Sequence, residues 1–329
     1  MSSTRGKLIT LLNNHSKDFI SGEKLSHMLN ISRSAVWKHM NELKKDGYTI
    51  EGVPRLGYRI IDTPDKISEN TITWGLETTW MGKTILHKDT TETTQKDAQT
   101  AAKEGAPHGT VAIANAQTNG KGRMGHQWYS SKDKGVWMSI LLRPKILPQQ
   151  APALTLLAAT VIADVLAKHI SEKVTIKWPN DILIGSKKVS GILTEMQAEQ
   201  DQIQHVVMGI GLNVNQCPQD MPEDIKHIAT SLRIETDHHW DINLLIQDIL
   251  STFEKSYMTF MDNGFTPIKQ KWESYGYQMG KKIKIKTIQE SYEATFSGID
   301  EDGALLVIHD GEVKKLYSAE IDWNLNKEK

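Results

Sequence analysis

The chain has 329 residues, of which 39% are hydrophobic, and a formal net charge of -1. This length exceeds one compact core and predicts two or three domains, while the ordinary apolar content excludes a disordered chain. The single cysteine, Cys217, excludes an internal disulfide, and no signal peptide or apolar run of about 18 residues is evident, so we expect a cytoplasmic protein without membrane contact.

The charge is unevenly distributed along the chain. Residues 1–60 hold ten Lys/Arg and five Asp/Glu, a surplus of five positive charges, so the remainder carries a net charge of -6. A basic N-terminal region in front of an acidic body predicts a polyanionic partner for that region alone.

Apolar spacing in the basic region predicts three helices and a hairpin. Leu8–Leu12 and Leu25–Leu29 mark two helices, and Ser32 is placed to cap a third whose Val36 and Met40 face inward. A hairpin with its tip at 53–55 follows, which makes a winged helix-turn-helix whose third helix enters the major groove. The alternative is a packing module with an exposed Trp37. The predicted DNA contacts are Arg33, Ser34, Trp37, Lys38, Asn41 and Arg55, with Lys44 and Lys45 on phosphates.

The rest of the chain predicts two further domains. Residues 63–278 begin with a linker and helix start at 63–65 and continue as short strands and helices, which indicates an α+β domain with a mixed sheet backed by helices. In this region 178–181 is predicted to be a turn. Residues 279–329 alternate with Asp- and Gly-rich turns, which predicts a small β barrel. The predicted boundaries are therefore 1–62, 63–278 and 279–329.

A glycine-rich loop, Gln117–Trp128, follows a predicted buried strand and carries Lys121 and Arg123. Such a loop can bring backbone N–H groups and positive charge to a phosphate or carboxylate. Its glycines also fit a dinucleotide-binding fingerprint, but no helix opens after them, and a loop without ligand remains the other alternative. Lys177 and Lys188, which flank a Trp-Pro-Asn-Asp segment, could add two more cations to one site.

Four segments together resemble the signature segments of biotin–protein ligases: Gly120–Trp128, Lys177–Asp181, Lys188–Leu193 and Gly209–Asn215. With the N-terminal winged helix, the chain is similar to bifunctional members that also repress the biotin operon. The resemblance implies a class II synthetase-like central domain and an SH3-like C-terminal domain. It implies that biotin and ATP, with Mg²⁺, form biotinyl-5′-AMP, and that biotin passes to a lysine of a carboxylase biotin carrier domain.

The resemblance also implies roles for single residues. Lys188 would bridge the biotin carboxylate and the phosphate, Arg123 would close the loop, and Lys177 and Asp181 would organise phosphate, magnesium or the incoming lysine. The implied contacts to biotin are Thr93, Thr94, Gln117, Gly120, Lys121, Gly122, Arg123, Lys188 and Gly191, and those to ATP are Trp128, Lys177 and Asn213. No resident metal site is expected.

Two residues depart from the pattern of the family. Lys121 stands where an arginine is usual, which keeps the charge and loses the bidentate fork. His126 stands where a further arginine is common, so its charge is only partial near neutral pH. Both predict weaker ligand retention.

The family implies a homodimer when the adenylate is bound, with the adenylate as corepressor at operator DNA. Two other functions stay open at this point. The chain could be a DNA-binding biotin sensor without ligase activity, or a lipoate–protein ligase, although the winged helix disfavours the latter.

Overall fold

The N-terminal unit is a winged helix-turn-helix. The computed structural model describes residues 4–14, 18–62, 67–287 and 290–323. The unit contains α1 (Thr4–Asn14), α2 (Gly22–Leu29), α3 (Arg33–Lys45), β1 (Thr49–Val53) and β2 (Gly57–Asp62). The Ser32 side chain accepts the N–H of Ala35, which confirms the predicted cap of α3. Leu8, Leu25, Val36 and Met40 form the core of the unit.

The central unit is a sheet with helices on both faces. Its helices are α4 (Glu69–Thr73), α5 (Thr94–Lys103), α6 (Ala151–Ala167), α7 (Leu232–Thr236), α8 (Ile242–Asn263) and α9 (Thr266–Tyr275). Its strands are β3 (Ile85–Thr91), β4 (Val111–Gln117), β5 (Gly135–Leu142), β6 (Val174–Lys177), β7 (Asp181–Ile184), β8 (Lys187–Glu199) and β9 (Gln202–Asn213). They form a seven-stranded mixed sheet in the order β3-β4-β5-β9-β8-β7-β6, in which β3 and β4 are parallel.

Two features of this sheet differ from the prediction. Asp181, predicted to lie in a turn, begins β7, which pairs with both β6 and β8. Strand β8 runs seven residues past Ile192, the end of the predicted strand entry, because it forms a long hairpin with β9. The linker and helix start predicted at 63–65 lie outside the described residues, and the first helix after them, α4, is capped by Ser68.

One helix is apolar on all sides. Residues Pro148–Ala167, which include α6, are long and apolar enough to cross a membrane, but 78% of the apolar 18-residue window within them is buried inside the protein. Helix α6 packs against α8, α9 and β8. A helix that is apolar all round and covered on all sides is the core helix of a folded domain.

A short helix joins the first two units. Trp74, the residue after α4, is buried in the core of the N-terminal unit, and its ring lies 6.1 Å from that of Tyr48. On the other side of α4, Thr71 donates a hydrogen bond to Asn243 of α8 at 2.9 Å. Helix α4 therefore contacts both units.

The C-terminal unit is antiparallel. It consists of β10 (Lys282–Lys286), β11 (Ser291–Ile299), β12 (Leu305–His309), β13 (Glu312–Leu316) and β14 (Glu320–Asp322). The strand order is β13-β12-β11-β10-β14. The indole N–H of Trp178 donates to the carbonyl of Gly303 at 3.1 Å, which holds this unit against the central one.

Candidate active site and DNA-binding surface

A cavity lies on the face of the central sheet that α5 covers only in part. Ala98 and Ala102 of α5 pack against Leu141 and Val207, and farther along the same strands Ser139, Gly209 and Gly211 face the cavity. Its volume is about 50 Å³. The cavity is lined by Thr93, Thr94, Gln95, Gln117, Lys121, Gly122, Arg123, Trp128, Met138, Ser139, Asn180, Lys188, Gly191, Ile192, Leu193, Gly209, Ile210 and Gly211.

The strand register brings distant residues of the site together. Lys177 pairs with Asp181, Asp181 with Gly191, and Gly191 with Gly211. Because directly opposed residues of antiparallel strands point to the same face, these four positions form one row across four strands. The row explains how segments far apart in sequence share one site.

The N-terminus of α5 forms one end of the cavity. The side chain of Thr93 caps the helix by accepting the N–H of Gln95 at 3.3 Å. The N–H of Thr94 donates to Oε1 of Gln117 at 2.8 Å, and Nε2 of Gln117 donates to Ser130 at 2.8 Å. Two adjacent hydroxyl groups are thereby held at the cavity wall.

Residues 120–128 form a lid over the cavity. The lid is closed on itself: the N–H of Trp128 donates to the Gly120 carbonyl at 2.8 Å, and that of Gly122 to the His126 carbonyl at 2.7 Å. A guanidinium N–H of Arg123 donates to Oδ1 of Asn180 at 3.3 Å. This hydrogen bond connects the lid to the loop before β7.

Trp128 lies over two paired glycines. A Cβ added to Gly211 would lie 2.5 Å from the indole, and one added to Gly191 would lie 3.0 Å from it. The ammonium group of Lys188 is 5.2 Å from the centre of the ring. The indole N–H is buried without a partner among the described residues. The two glycines provide the space that the indole occupies.

Lys188 and Asp181 form an ion pair beside the cavity, with Nζ 2.6 Å from Oδ1. The nearby Lys177 is partly buried, and burial lowers its pKa; the positive charge of Lys188 lowers it further, while Asp181 and Asp322 oppose the shift. Two cations and one carboxylate thus share one edge of the site.

A second cavity of about 360 Å³ adjoins the first and shares Arg123, Asn180 and Ile192 with it. Its far wall comes from the C-terminal unit through Asp302, Gly303, Ala304 and Tyr317. A molecule that extends from the first cavity past Arg123 would therefore reach the C-terminal unit.

The structure places most of the predicted ligand contacts on the first cavity, but not all. Gly120 lies at the base of the lid, where a Cβ would come within 2.4 Å of the Trp128 carbonyl. Lys177 and Asp181 stand in the row beside the cavity without lining it. Asn213 donates to the Thr230 carbonyl and accepts from Gln216, so its amide is engaged within the chain. The predicted roles of these four residues stay predictions, as do those of the residues that line the cavity.

Sequence reasoning missed several lining residues. Gln95 follows the two threonines at the start of α5, and Ser139 is the polar exception in the otherwise apolar strand β5. A single hydroxyl in an otherwise apolar strand could have indicated a residue of the site, because a buried polar group needs a hydrogen-bond partner. Gly209 and Gly211 belong to the Gly209–Asn215 segment but were given no role.

Most of the residues predicted to contact DNA line one groove. Arg33, Ser34, Trp37 and Asn41 of α3 line a groove with Arg55 of the wing, and Lys44 stands at the same groove. The Trp37 side chain is 61% exposed. Lys38 and Lys45 are exposed on the same helix outside the groove lining. Exposed cations and an aromatic ring on one helix and wing are the features of a DNA-binding face.

Three profiles match the three units. Residues 87–213 match the Biotin/lipoate A/B protein ligase family, residues 4–59 an HTH domain, and residues 279–323 the Biotin protein ligase C terminal domain. Among known proteins, the Bifunctional ligase/repressor BirA of Bacillus subtilis is 46% identical over 98% of this chain and 99% of its own length. The protein of the same name from Escherichia coli is 28% identical over 96% of this chain and 95% of its own length.

A solved structure has a similar fold. The biotin protein ligase from Aquifex aeolicus, in complex with biotin and ATP, aligns with a TM-score of 0.62 and 29% identity. The alignment covers 73% of this chain and 98% of the Aquifex chain.

Proposed function

The chain belongs to the family of bifunctional biotin ligases and repressors, and we propose how its own residues divide that work. The lidded cavity activates biotin with ATP and passes it to a lysine of a carboxylase carrier domain. The N-terminal unit binds operator DNA. The observation that carries this proposal is that the four family-like segments, separate in the sequence, meet around one cavity.

The first reaction joins a biotin carboxylate oxygen to the α-phosphorus of ATP, and pyrophosphate leaves. Both reactants are anionic, so the site must neutralise charge where it builds up on the phosphate. We assign this to Lys188, which exchanges its contact with Asp181 for the carboxylate and phosphate oxygens. In the second reaction, the amine of the carrier lysine attacks the biotinyl carbonyl carbon, and AMP leaves. Asp181 is then placed to accept a hydrogen bond from that amine.

The lid has to open before biotin enters. A drug-sized ligand needs a pocket of roughly 300 Å³ or more, whereas this cavity has about 50 Å³. Movement of Trp128 away from Gly191 and Gly211 would release space, and its ring could then stack on adenine. Closure of Arg123 onto the nucleotide would exclude water from the mixed anhydride.

ATP would extend from the first cavity past Arg123 into the second. Trp128, Lys177 and Asn213 remain the proposed nucleotide contacts. Among the described residues, no group of three or more His, Cys, Asp or Glu could hold a metal ion. Mg²⁺ therefore fits as an ion carried mainly by phosphate oxygens and water, with Asp181 as the nearby carboxylate.

We further propose a homodimer that the adenylate promotes as corepressor. Strand β7 pairs only with residues 187–191 of β8, so the outer edge of β8 beyond Ile192 has no strand beside it in the described structure. A free strand edge is a template for pairing with a second chain. Such a dimer would present two N-terminal units to two half-sites of an operator in the cytoplasm.

Biotin-dependent exchange between ATP and pyrophosphate tests the enzymatic part. We expect exchange with biotin and none without it. Absence of exchange would leave a DNA-binding biotin sensor as the function, and exchange with lipoate but not biotin would indicate a lipoate ligase. A gel shift with operator DNA, with and without biotin and ATP, tests the repressor part.

A further inference from the structure

Gln95 closes the floor of the cavity. Its side chain is 5% exposed, and its Oε1 would lie 2.7 Å from a Cβ added to Gly209. Its Nε2 donates to the carboxylate of Glu195 at 2.9 Å and to the carbonyl of Val207 at 3.0 Å. A carboxylate and a carbonyl only accept, so these contacts fix which end of the amide is which. Oε1 must therefore accept.

The fixed amide determines the direction of the next two hydrogen bonds. Ser139 lies 3.1 Å from Oε1 of Gln95 and donates its single proton there. Its oxygen then accepts from Oγ1 of Thr94, 2.8 Å away. The Thr94 hydroxyl also lies 3.2 Å from Oε1 of Gln117, but that oxygen already accepts the Thr94 backbone N–H at 2.8 Å, and the shorter contact gives the hydroxyl proton to Ser139. Thr94 therefore presents only an acceptor to the cavity.

Thr93 has the opposite polarity. Its oxygen accepts the N–H of Gln95 at 3.3 Å. Within the described part of the chain, the bond from Gln95 is the one hydrogen bond of this hydroxyl, so its proton has no acceptor. Adjacent residues of the cavity thus offer one donor and one acceptor. A cyclic urea, in which a carbonyl is flanked by two N–H groups, matches that pair with its carbonyl oxygen and one of its N–H groups.

We propose that Gln95, held by Glu195, is a positioning residue that sets the hydrogen-bond polarity of the cavity floor and so selects a cyclic urea. This inference rests on the proposed activation of biotin and adds the reason for its selectivity. A dithiolane ring has no N–H, so it would leave the Thr94 acceptor unpaired. Sites built to hydrogen-bond a ligand group discriminate strongly against analogues that lack that group.

The test measures KM for biotin, KM for ATP and kcat in the exchange assay with the full chain. Gln95→Met keeps the length of the side chain but removes its polarity, which frees the Ser139 proton to turn toward Thr94. We expect KM for biotin to rise about tenfold, which corresponds to one misdirected hydrogen bond, with KM for ATP unchanged. Gln99→Met is the control, because Gln99 also donates to Glu195, at 2.6 Å, but does not line the cavity.

A second variant, Ser139→Ala, interrupts the same series of hydrogen bonds between Ser139 and Thr94. It allows the inference to be tested even if Gln95→Met does not fold. Because both act through Thr94, the double variant should have the same KM for biotin as either single variant, a non-additivity that independent structural damage does not produce. A folded single variant with KM for biotin within about twofold of the unaltered chain would overturn the inference, as would fold-changes that multiply in the double variant. If the unaltered chain shows no exchange, the proposed function itself fails.

Discussion

Lys188 and Asp181 lie on neighbouring strands with Nζ and Oδ1 only 2.6 Å apart, so the lysine proposed to bridge the reactants is already paired with a carboxylate. The pair keeps the ammonium group in place before the ligands bind. It also means that binding of two anionic ligands competes with Asp181 for the same cation.

Lys188→Ala should therefore abolish formation of the adenylate while the fold is kept. Loss of a charge placed at the developing negative charge typically costs a factor of about 10²–10³. The measurement is the rate of biotin-dependent pyrophosphate exchange, with circular dichroism to check folding. Lys187→Ala is the matched control, since the adjacent lysine does not line the cavity. Near-normal exchange by Lys188→Ala would remove this residue from the mechanism.

Arg123→Gly should release the reactive adenylate. The variant loses the hydrogen bond to Asn180 and the cation between the two cavities, so the lid retains the intermediate less well. We expect biotin to appear on lysines of a bystander protein such as serum albumin, as detected by mass spectrometry. His126→Ala, in the same lid but away from both cavities, should label only the carrier domain. Strict carrier specificity in Arg123→Gly would contradict a retaining role.

Gly211→Ala should prevent Trp128 from resting on the sheet. The added Cβ would lie 2.5 Å from the ring, a distance that requires the indole to move. We expect faster dissociation of the adenylate, by about tenfold if one good contact of the closed lid is lost, measured by stopped-flow fluorescence. Gly191→Ala, whose Cβ would lie 3.0 Å from the ring and equally close to the Lys188 side chain, should displace the indole less. An unchanged dissociation rate in Gly211→Ala would show that the indole is not held by this platform.

Glu254 should make stability depend on pH. Burial by itself would raise its pKa, but the N–H groups of Met81, Trp80 and Thr79 and the Thr79 hydroxyl hold the pKa below the ordinary value of 4.5. A lowered pKa means that the carboxylate contributes stability above pH 4.5 and loses it as the pH falls through the lowered value. Glu254→Gln should reduce the free energy of unfolding by about 2 kcal/mol at neutral pH.

The difference between Glu254→Gln and the unaltered chain should shrink in acid, because the unaltered carboxyl group becomes neutral there. Thermal unfolding at a series of pH values measures this. The exposed neighbour Lys255 provides a control, since Lys255→Ala should unfold like the unaltered chain. An equal loss at every pH would indicate that charge is not what Glu254 contributes.

Operator binding should separate two kinds of contact on the N-terminal unit. Lys44→Ala should weaken binding to all sequences alike and reduce the salt dependence by about one counterion. Asn41→Ala, which removes a half-buried side chain of the groove lining, should relax sequence preference instead. Binding isotherms at several salt concentrations, with specific and unrelated DNA, measure both. Lys145→Ala, exposed on the central unit, should change neither.

The fold was largely predictable where it depends on interactions between residues that are close in the sequence. Ser32 caps α3 and Thr93 precedes α5, as short-range hydrogen-bonding patterns indicate. Trp178–Asp181 has the composition of a turn, and only pairing on both sides makes its last residue, Asp181, the start of strand β7. Tertiary pairing of this kind overrides local preference.

The residues of the site that lie in the family-like segments were predictable from the sequence, but the contacts between distant residues were not. The resemblance pointed to Lys188, Arg123 and the lid, which do line the cavity. Gln95 could not be assigned, because its role depends on Glu195, one hundred positions away, and on Ser139 in another strand. Such a contact becomes visible only when the sheet register is known.

Trp74 makes the DNA-binding unit harder to detach than its boundary suggests. A cut after Asp62 leaves the N-terminal unit without an indole from its core and leaves the ligase with that indole exposed to water. The two units therefore cannot be separated at this boundary without changing the packing of both. If the DNA-binding unit is removed or transplanted, in evolution or in the laboratory, Trp74 has to be replaced by a polar residue on the ligase as well.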